Sequence, residues 1–406
     1  MKHSTIRPVL IVLSETDGHR QNYAAVLGRW FADRGHKVVV ACGPTEKEAL
    51  GSQSPVLAHF IATTGLAVID LAREIVQDPA RFRATLTQLE VNLNPTWTLL
   101  ANGDECLRAL QGEWQVGANA CRRAAILIYF PNEYPLDLRA LSYFKRFRPW
   151  ARHLLDRYRK RRIIKNDSMA RLGLDLVLTT DENVASALDH PNVRFLPEIY
   201  KAWGADISTE TGETEEARLN YARFRARNSG KEVLLYYGGR YKRRGYDTLM
   251  ALALENQETV FVSVGRNDPM ESFEASVGSS RQQLFAQGRL FELDIPFLPE
   301  NALVDDLFRS AKYVILPYRD WYGLSGSLYQ AASYGCPVIV PDIGSMGSTV
   351  RRYGIGLTYR HLDMKSLQRR FLEIRNDFQI YRDNVQQFSR RFDYSSVSSS
   401  MIDIFS

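Results

Sequence analysis

The sequence predicts an α/β protein built from two Rossmann-like, doubly wound domains that face each other across a cleft. Three observations carry this. The chain has 406 residues, too many for a single core and suited to two α/β domains of roughly 150–200 residues each. It opens with an apolar strand at 9–13, a glycine turn, a helical pattern over 22–34 and a second strand at 38–41. Such a βαβ start implies a parallel sheet. After a polar stretch at 201–230, the same alternation begins again at Val233.

The first helix carries Tyr23, Val26, Leu27, Trp30 and Phe31 at helical spacing, and Gly35 stops it. Further strands are expected at 67–70, 97–100, 125–129, 176–179 and 194–196, the last closed by Pro197. Residues 201–230 are polar and helix-poor at first, helical later, and read as a linker. The second series has strands at 233–237, 259–264, 312–316 and 338–340. Helices over 364–392 and a short tail close the chain. The expected organisation is an N-terminal domain over 1–200, a linker over 201–230 and a C-terminal domain over 231–385. A helical tail over 386–406 is expected to pack back on the first domain. In doubly wound sheets ligands bind at the carboxyl ends of the strands.

The composition, 45% hydrophobic and 24% charged, is that of an ordinary globular protein. The cysteines at 42, 106, 121 and 336 form no Cys-x-x-Cys pair. Neither a disulfide framework nor a zinc site is indicated, and a reducing cytoplasm is the natural compartment. The apolar run at 9–13 is too short for a signal-peptide core, and no run approaches the roughly 20 residues of a membrane span. The net charge of +6 is uneven: residues 139–165 hold eleven Lys/Arg against Asp156, a net +10 that leaves −4 for the rest. Tyr143, Phe144, Phe147 and Trp150 are interleaved with that charge. A basic, aromatic stretch suits the anionic face of a membrane, and a long solvated helix accounts for it as well. No nucleic-acid motif accompanies the charge, so no nucleic-acid partner is expected.

The most informative segment is 318–342, YRDWYGLSGSLYQAASYGCPVIVPD. It reads as a glycine-serine loop between a buried strand and a short helix, followed by Gly335, Pro337 and another apolar strand. A glycine-rich turn that opens a helix leaves backbone N–H groups aimed outward at the positive end of the helix dipole. Gly323, Leu324, Ser325, Gly326 and Ser327 are therefore candidates to cradle a phosphate or diphosphate. An ordinary crossover, whose glycines only make the turn, explains the same loop. Arg240 and Arg244 follow a strand and the pair Gly238-Gly239, which puts both at a strand's carboxyl end. Such cations, with a helix N-terminus, can neutralise a leaving diphosphate without a metal. Asp-x-Asp metal pairs are absent from the sequence, so no metal and no resident cofactor are expected. A basic surface turn is the plainer reading of the arginines, and Lys242 or Arg243 could replace Arg244.

Together, the run from Gln330 to Asp342, the run from Tyr236 to Gly245, and Asp17-Gly18-His19-Arg20 with Arg34-Gly35-His36-Lys37 resemble the retaining glycosyltransferases of family 4, which have the GT-B fold. The resemblance spans most of the chain, with its specific part at the C-terminal segment. It implies a nucleotide-sugar donor held by Gly18, Gly239, the glycine loop and the helix after it. It also implies transfer with retention to a glycan, lipid-linked or small-molecule hydroxyl, in which the departing phosphate takes the acceptor proton. Where the family carries a pair of glutamates, this chain has Tyr322 and Gln330. Gln330 keeps an oxygen that can pair with a ribose hydroxyl, whereas Tyr322 cannot replace a carboxylate. His19 is a candidate for donor phosphate or acceptor, and Glu133 for orienting an acceptor hydroxyl. Arg266, residues 297–299 and Asp320 are further candidates near the base and the sugar. The alternatives are a scaffold that lost activity with its glutamates, or a sugar-nucleotide epimerase on the same fold.

Overall fold

The computed structural model of the chain describes residues 7–14, 20–43, 66–110, 114, 121–127, 155, 169, 172–198, 212–240, 242–265, 274–295, 302–319 and 321–406. The chain divides into two compact units. One draws on Met1–Glu133, Ala151–Ala202 and Phe392–Ser406, and the described part of the other falls within Trp203–Arg391.

The first unit holds a seven-stranded sheet of β1 (Val9–Leu13), β2 (Val38–Cys42), β3 (Ala67–Asp70), β4 (Trp97–Leu100), β5 (Arg122–Leu127), β6 (Leu176–Thr179) and β7 (Val193–Phe195). Its order is β3-β2-β1-β4-β5-β6-β7, with every neighbouring pair parallel. β1 is buried along its whole length, as a strand covered on both faces must be. The helix after it spans Arg20–Ala32 and buries the expected stripe from Tyr23 to Phe31.

The fifth strand starts three residues earlier than expected, because Arg122 and Arg123 do not read as strand residues. Arg123 is nonetheless 2% exposed. Its guanidinium pairs with buried Glu90 (Nε to Oε1, 2.9 Å), donates to the Leu172 carbonyl (3.1 Å) and lies 3.8 Å from the Trp114 ring centroid. A buried charge persists when it is paired and fully hydrogen-bonded.

The helix Tyr394–Phe405 belongs to this unit. Phe405 meets the rings of Trp30, Phe31 and Trp97 at 5.6, 5.2 and 5.2 Å. Trp30 Nε1 donates to the Ser398 carbonyl (3.1 Å), and the Tyr394 hydroxyl donates to Asp33 (2.9 Å).

The second unit holds a six-stranded sheet of β8 (Glu232–Tyr237), β9 (Thr259–Val264), β10 (Leu290–Leu293), β11 (Ala311–Ile315), β12 (Val338–Pro341) and β13 (Gly356–Tyr359). The order is β10-β9-β8-β11-β12-β13, again all parallel. Both outer strands, β10 and β13, were not expected from the sequence; each is four residues long and only partly buried. Within the stretch read as a linker, the helix Gly212–Arg227 packs on this unit. Tyr221 and Phe224 lie 5.1 and 5.6 Å from the Phe291 ring, and Arg218 pairs with Asp306 (2.6 Å).

Both sheets are thus doubly wound, the winding reversing between β1 and β4 and between β8 and β11. Such reversals open a crevice at the carboxyl ends of the two central strands. Among the described residues, no helix is long and apolar enough to cross a membrane.

Candidate functional site

The crevice of the second unit is made by the segment after β8, running to Gly245, and the segment after β11, from Pro317 to Ser325. Several bonds lock the two together. Gly245 (φ +70°) lies so close to the Pro317 carbonyl that a Cβ there would collide with it, and its φ suits glycine. Arg319 N donates to the Arg243 carbonyl (2.8 Å), and Arg319 Nη2 reaches both Asp247 oxygens at 2.6 Å and Thr248 Oγ1 at 3.0 Å. A charge-assisted, partly buried pair of this kind holds a loop more firmly than an exposed one.

The glycine loop then enters the helix Gly326–Ser333. Ser325 caps it in an extended conformation (φ −128°, ψ 129°), and its Oγ accepts from Ser327 N at 3.3 Å. The Tyr318 hydroxyl shares a hydrogen bond with Ser325 Oγ (3.1 Å), and Trp321 Nε1 donates to the Leu324 carbonyl (2.8 Å). The Tyr322 carbonyl accepts from Ser345 N (2.8 Å), over a glycine, Gly344, whose Cβ would strike the Tyr322 backbone. The cap leaves the first-turn amide of Gly326 without an intrahelical acceptor, on a half-buried residue at the positive end of the helix.

The two arginines chosen from the sequence are used differently. Arg240 is 4% exposed. Its Nε donates to Ser263 Oγ (2.9 Å), and its Nη2 donates to the carbonyls of Ser263 (3.3 Å) and Leu293 (2.9 Å). It therefore laces together the ends of β8, β9 and β10, with Nε and Nη2 of the residue expected as a phosphate cation engaged by Ser263 and Leu293. Arg244 is half-buried at the crevice, its guanidinium 5.6 Å from the Tyr318 ring centroid. It rests on Gly238 (φ +123°), where a Cβ would collide with Arg244 Nη1. Through Tyr318 it is one ring away from the Ser325 cap, so cation and helix start are held at one place. Gly239, the other expected glycine, accepts from the Tyr236 hydroxyl through its carbonyl (2.6 Å).

Tyr322 and Gln330 are both buried. Gln330 stands four residues after Gly326 and shares its helix face. Its side-chain amide makes no hydrogen bond among the described residues, which leaves its oxygen able to accept one. Gly323, Leu324, Ser325, Gly326, Ser327 and Gln330 thus lie on one continuous turn and helix. Gly18, His19, Glu133, Arg266, residues 297–299 and Asp320 lie outside the described residues. So does the basic segment 139–165, except for Leu155.

At the first unit's reversal, neutral groups bind one another at the start of a helix, Gly103–Ala109, that opens on Asp104 and Glu105. Ser14 N donates to Asn102 Oδ1 (3.0 Å), Asn102 Nδ2 donates to Ser14 Oγ (3.0 Å), and the Cys106 thiol donates to Asn102 Oδ1 (3.0 Å). Beyond the ends of β6 and β7 lies a carboxyl the sequence did not single out. Burial pushes Glu198 up to about 7, against the Tyr23 and Thr180 hydroxyls that face it. No sequence signal marks Glu198, since it follows Pro197 in an unpatterned turn. Burial raises the thiols of Cys42, Cys121 and Cys336 to about 12, 11 and 12, too high for a nucleophile near neutral pH.

No family model matches the sequence, and no curated protein matches it. Solved structures match over nearly the whole chain. Anabaena HepE in complex with UDP and glucose is similar at 12% identity, with 98% of each chain covered and a TM-score of 0.64. WaaG, a glycosyltransferase involved in lipopolysaccharide biosynthesis, is similar at 15% identity, covering 98% of this chain and 99% of its own, with a TM-score of 0.59. UDP-GlcNAc 2-epimerase from Neisseria meningitidis, bound to UDP-GlcNAc, is similar at 12% identity, with 98% and 99% covered and a TM-score of 0.61. With its two parallel α/β units of seven and six strands, the chain has the GT-B fold.

Proposed function

We propose that the chain is a glycosyltransferase that moves a hexose-type sugar from a nucleotide-sugar donor to a hydroxyl of a glycan, a lipid-linked sugar or a small molecule, with retention of configuration. One observation carries the reading: Arg244 and the capped start of the Gly326–Ser333 helix converge at the reversal of the second sheet. A cation and outward amides at that point neutralise the diphosphate as the glycosidic bond breaks. The charge is fixed in the protein, so no metal is needed. The leaving phosphate oxygen takes the acceptor proton on the same face of the sugar. Gln330 accepts from the ribose, and Tyr322 lies beside the donor sugar. HepE with UDP and glucose, and the epimerase with UDP-GlcNAc, support a nucleotide sugar as the donor.

The test is a panel of nucleotide sugars screened for thermal stabilisation, since a ligand of the native state raises its melting point. Turnover of the stabilising donor follows in excess EDTA, with the anomeric configuration of the product read by NMR. Survival of turnover and a retained anomer support the reading. Loss of activity that magnesium restores removes the metal-free mechanism. A second reading, sugar-nucleotide epimerisation, is favoured by the epimerase that shares the fold; release of an epimerised sugar without acceptor would establish it. Binding without either reaction marks a scaffold. The working compartment we propose is the cytoplasm, with residues 139–165 on an anionic membrane surface; salt-sensitive co-sedimentation with anionic but not neutral vesicles tests the latter.

A further inference from the structure

Two strands away from Gly326, the second sheet carries a separate cavity of about 420 Å³, at the carboxyl ends of β12 and β13. Its volume falls in the range of small-molecule pockets, about 300–1,000 Å³. Two surfaces present cations to it. One is a single face of the helix Met364–Glu373, where Ser366, Arg369 and Arg370 stand at i, i+3 and i+4. The other is the end of β13, where the cation is Arg360, next to the buried His361.

The acids nearby are committed. Asp342, the one acid in the lining, pairs with Arg351. Asp363 caps the helix by accepting from Ser366 N at 3.0 Å, and Glu373 takes Arg370 with both oxygens at 2.8 and 2.6 Å. Arg360 is held only by a 3.6 Å contact to Asp363, with its side chain 61% exposed. A contact of that kind contributes little, so Arg360 can turn to a better partner. Arg369 makes no hydrogen bond or ion pair among the described residues. The lining therefore keeps one uncompensated guanidinium and a second that is loosely held. Arginine forks match phosphate oxygens in geometry and charge.

We infer that this cavity binds the phosphate group of a small phosphorylated molecule, at a site distinct from the Gly326 crevice. Arg360 and Arg369 supply the donors, and the remaining volume takes the organic part. The inference does not depend on the proposed donor site.

Calorimetric titration of the full chain, at fixed ionic strength, uses a hexose 6-phosphate, inorganic phosphate and the unphosphorylated hexose. Saturable binding of a phosphate-bearing probe, with none of the neutral hexose, is expected. Tighter binding of the ester identifies a phosphorylated metabolite, and equal binding of inorganic phosphate identifies the free ion; both support the site. The double variant Arg360→Gln/Arg369→Gln should weaken that binding at least tenfold and leave the melting point and UDP affinity unchanged. Absence of saturable phosphate binding, an unchanged affinity in the variant, or displacement of the phosphate by UDP overturns the inference. UDP affinity is read separately, so failure here is distinct from failure of the donor site.

Discussion

The two sheets are wound alike and furnished differently where their winding reverses. Between β1 and β4, Ser14, Asn102 and Cys106 satisfy one another, and the helix that follows opens on two acids, Asp104 and Glu105. Between β8 and β11 the groups are cationic and aromatic: Arg244 over Tyr318, Tyr318 on Ser325, and Ser325 on the helix start. The same topology makes a crevice in both units, and in the second a cation, Arg244, lies beside the start of a helix. The contrast repeats within that crevice. Arg240 and Arg244 both follow Gly238 by a few residues, yet Arg240 is spent on the Ser263 and Leu293 carbonyls. What decides the role of a basic residue at a strand end is whether main-chain acceptors claim it first.

Removing Arg240 should have the largest effect, and on stability. Arg240→Ala removes three hydrogen bonds of a buried guanidinium, to Ser263 Oγ and to the Ser263 and Leu293 carbonyls, at about 0.5–1.5 kcal/mol each, so a loss of about 2–4 kcal/mol is expected in denaturant titration. A variant as stable as wild type would place Arg240 back among the ligand-binding residues.

Glu198 gives the first unit its own signature. Its carboxyl holds a proton to about pH 7 when folded and releases it near 4.5 when unfolded. The folded state therefore binds more protons between those values, and stability falls as pH rises through that window. At about 1.4 kcal/mol per pKa unit, the decline amounts to about 3 kcal/mol. Glu198→Gln should remove that decline when unfolding is measured from pH 4.5 to 8. An unchanged pH slope would mean that Glu198 is ionised in the folded chain.

Gln330 should have the smallest effect. Neutral hydrogen bonds contribute about 0.5–1.5 kcal/mol and charged ones about 1.5–3. Gln330→Leu should thus weaken nucleoside-diphosphate binding a few-fold, and Gln330→Glu should leave it equal or tighter. Wild-type affinity in the leucine variant would move the ribose away from this helix.

The fold was legible in the sequence because its central strands are buried on both faces and read as apolar runs, as in Val9–Leu13 and Val338–Pro341. The helix stops at Gly35 and Gly335 were legible for the same local reason, since both take a left-handed conformation. The edge strands β10 and β13 were not, because short, partly exposed strands carry little pattern. Neither was the start of β5, because the burial of Arg123 depends on Glu90 and Trp114, far away in sequence. The glycine loop and its helix were visible from Gly323 to Gln330. The separation of Arg240 from Arg244 was not, since it rests on carbonyls of β9 and β10 that no local pattern reports. Tyr318 and Arg319, which hold the crevice together, likewise show their partners only in three dimensions.

The central claim is that Arg244, and not Arg240, meets the diphosphate. Calorimetric titration of UDP into wild type and Arg244→Ala, well below both melting points, tests it most directly. Loss of one charge-assisted contact, about 1.5–3 kcal/mol, corresponds to a roughly ten- to hundred-fold weaker affinity. The variant's melting point without ligand should stay close to wild type, because Arg244 is half-buried at the crevice and not part of the core. An affinity equal to wild type in Arg244→Ala would contradict the claim.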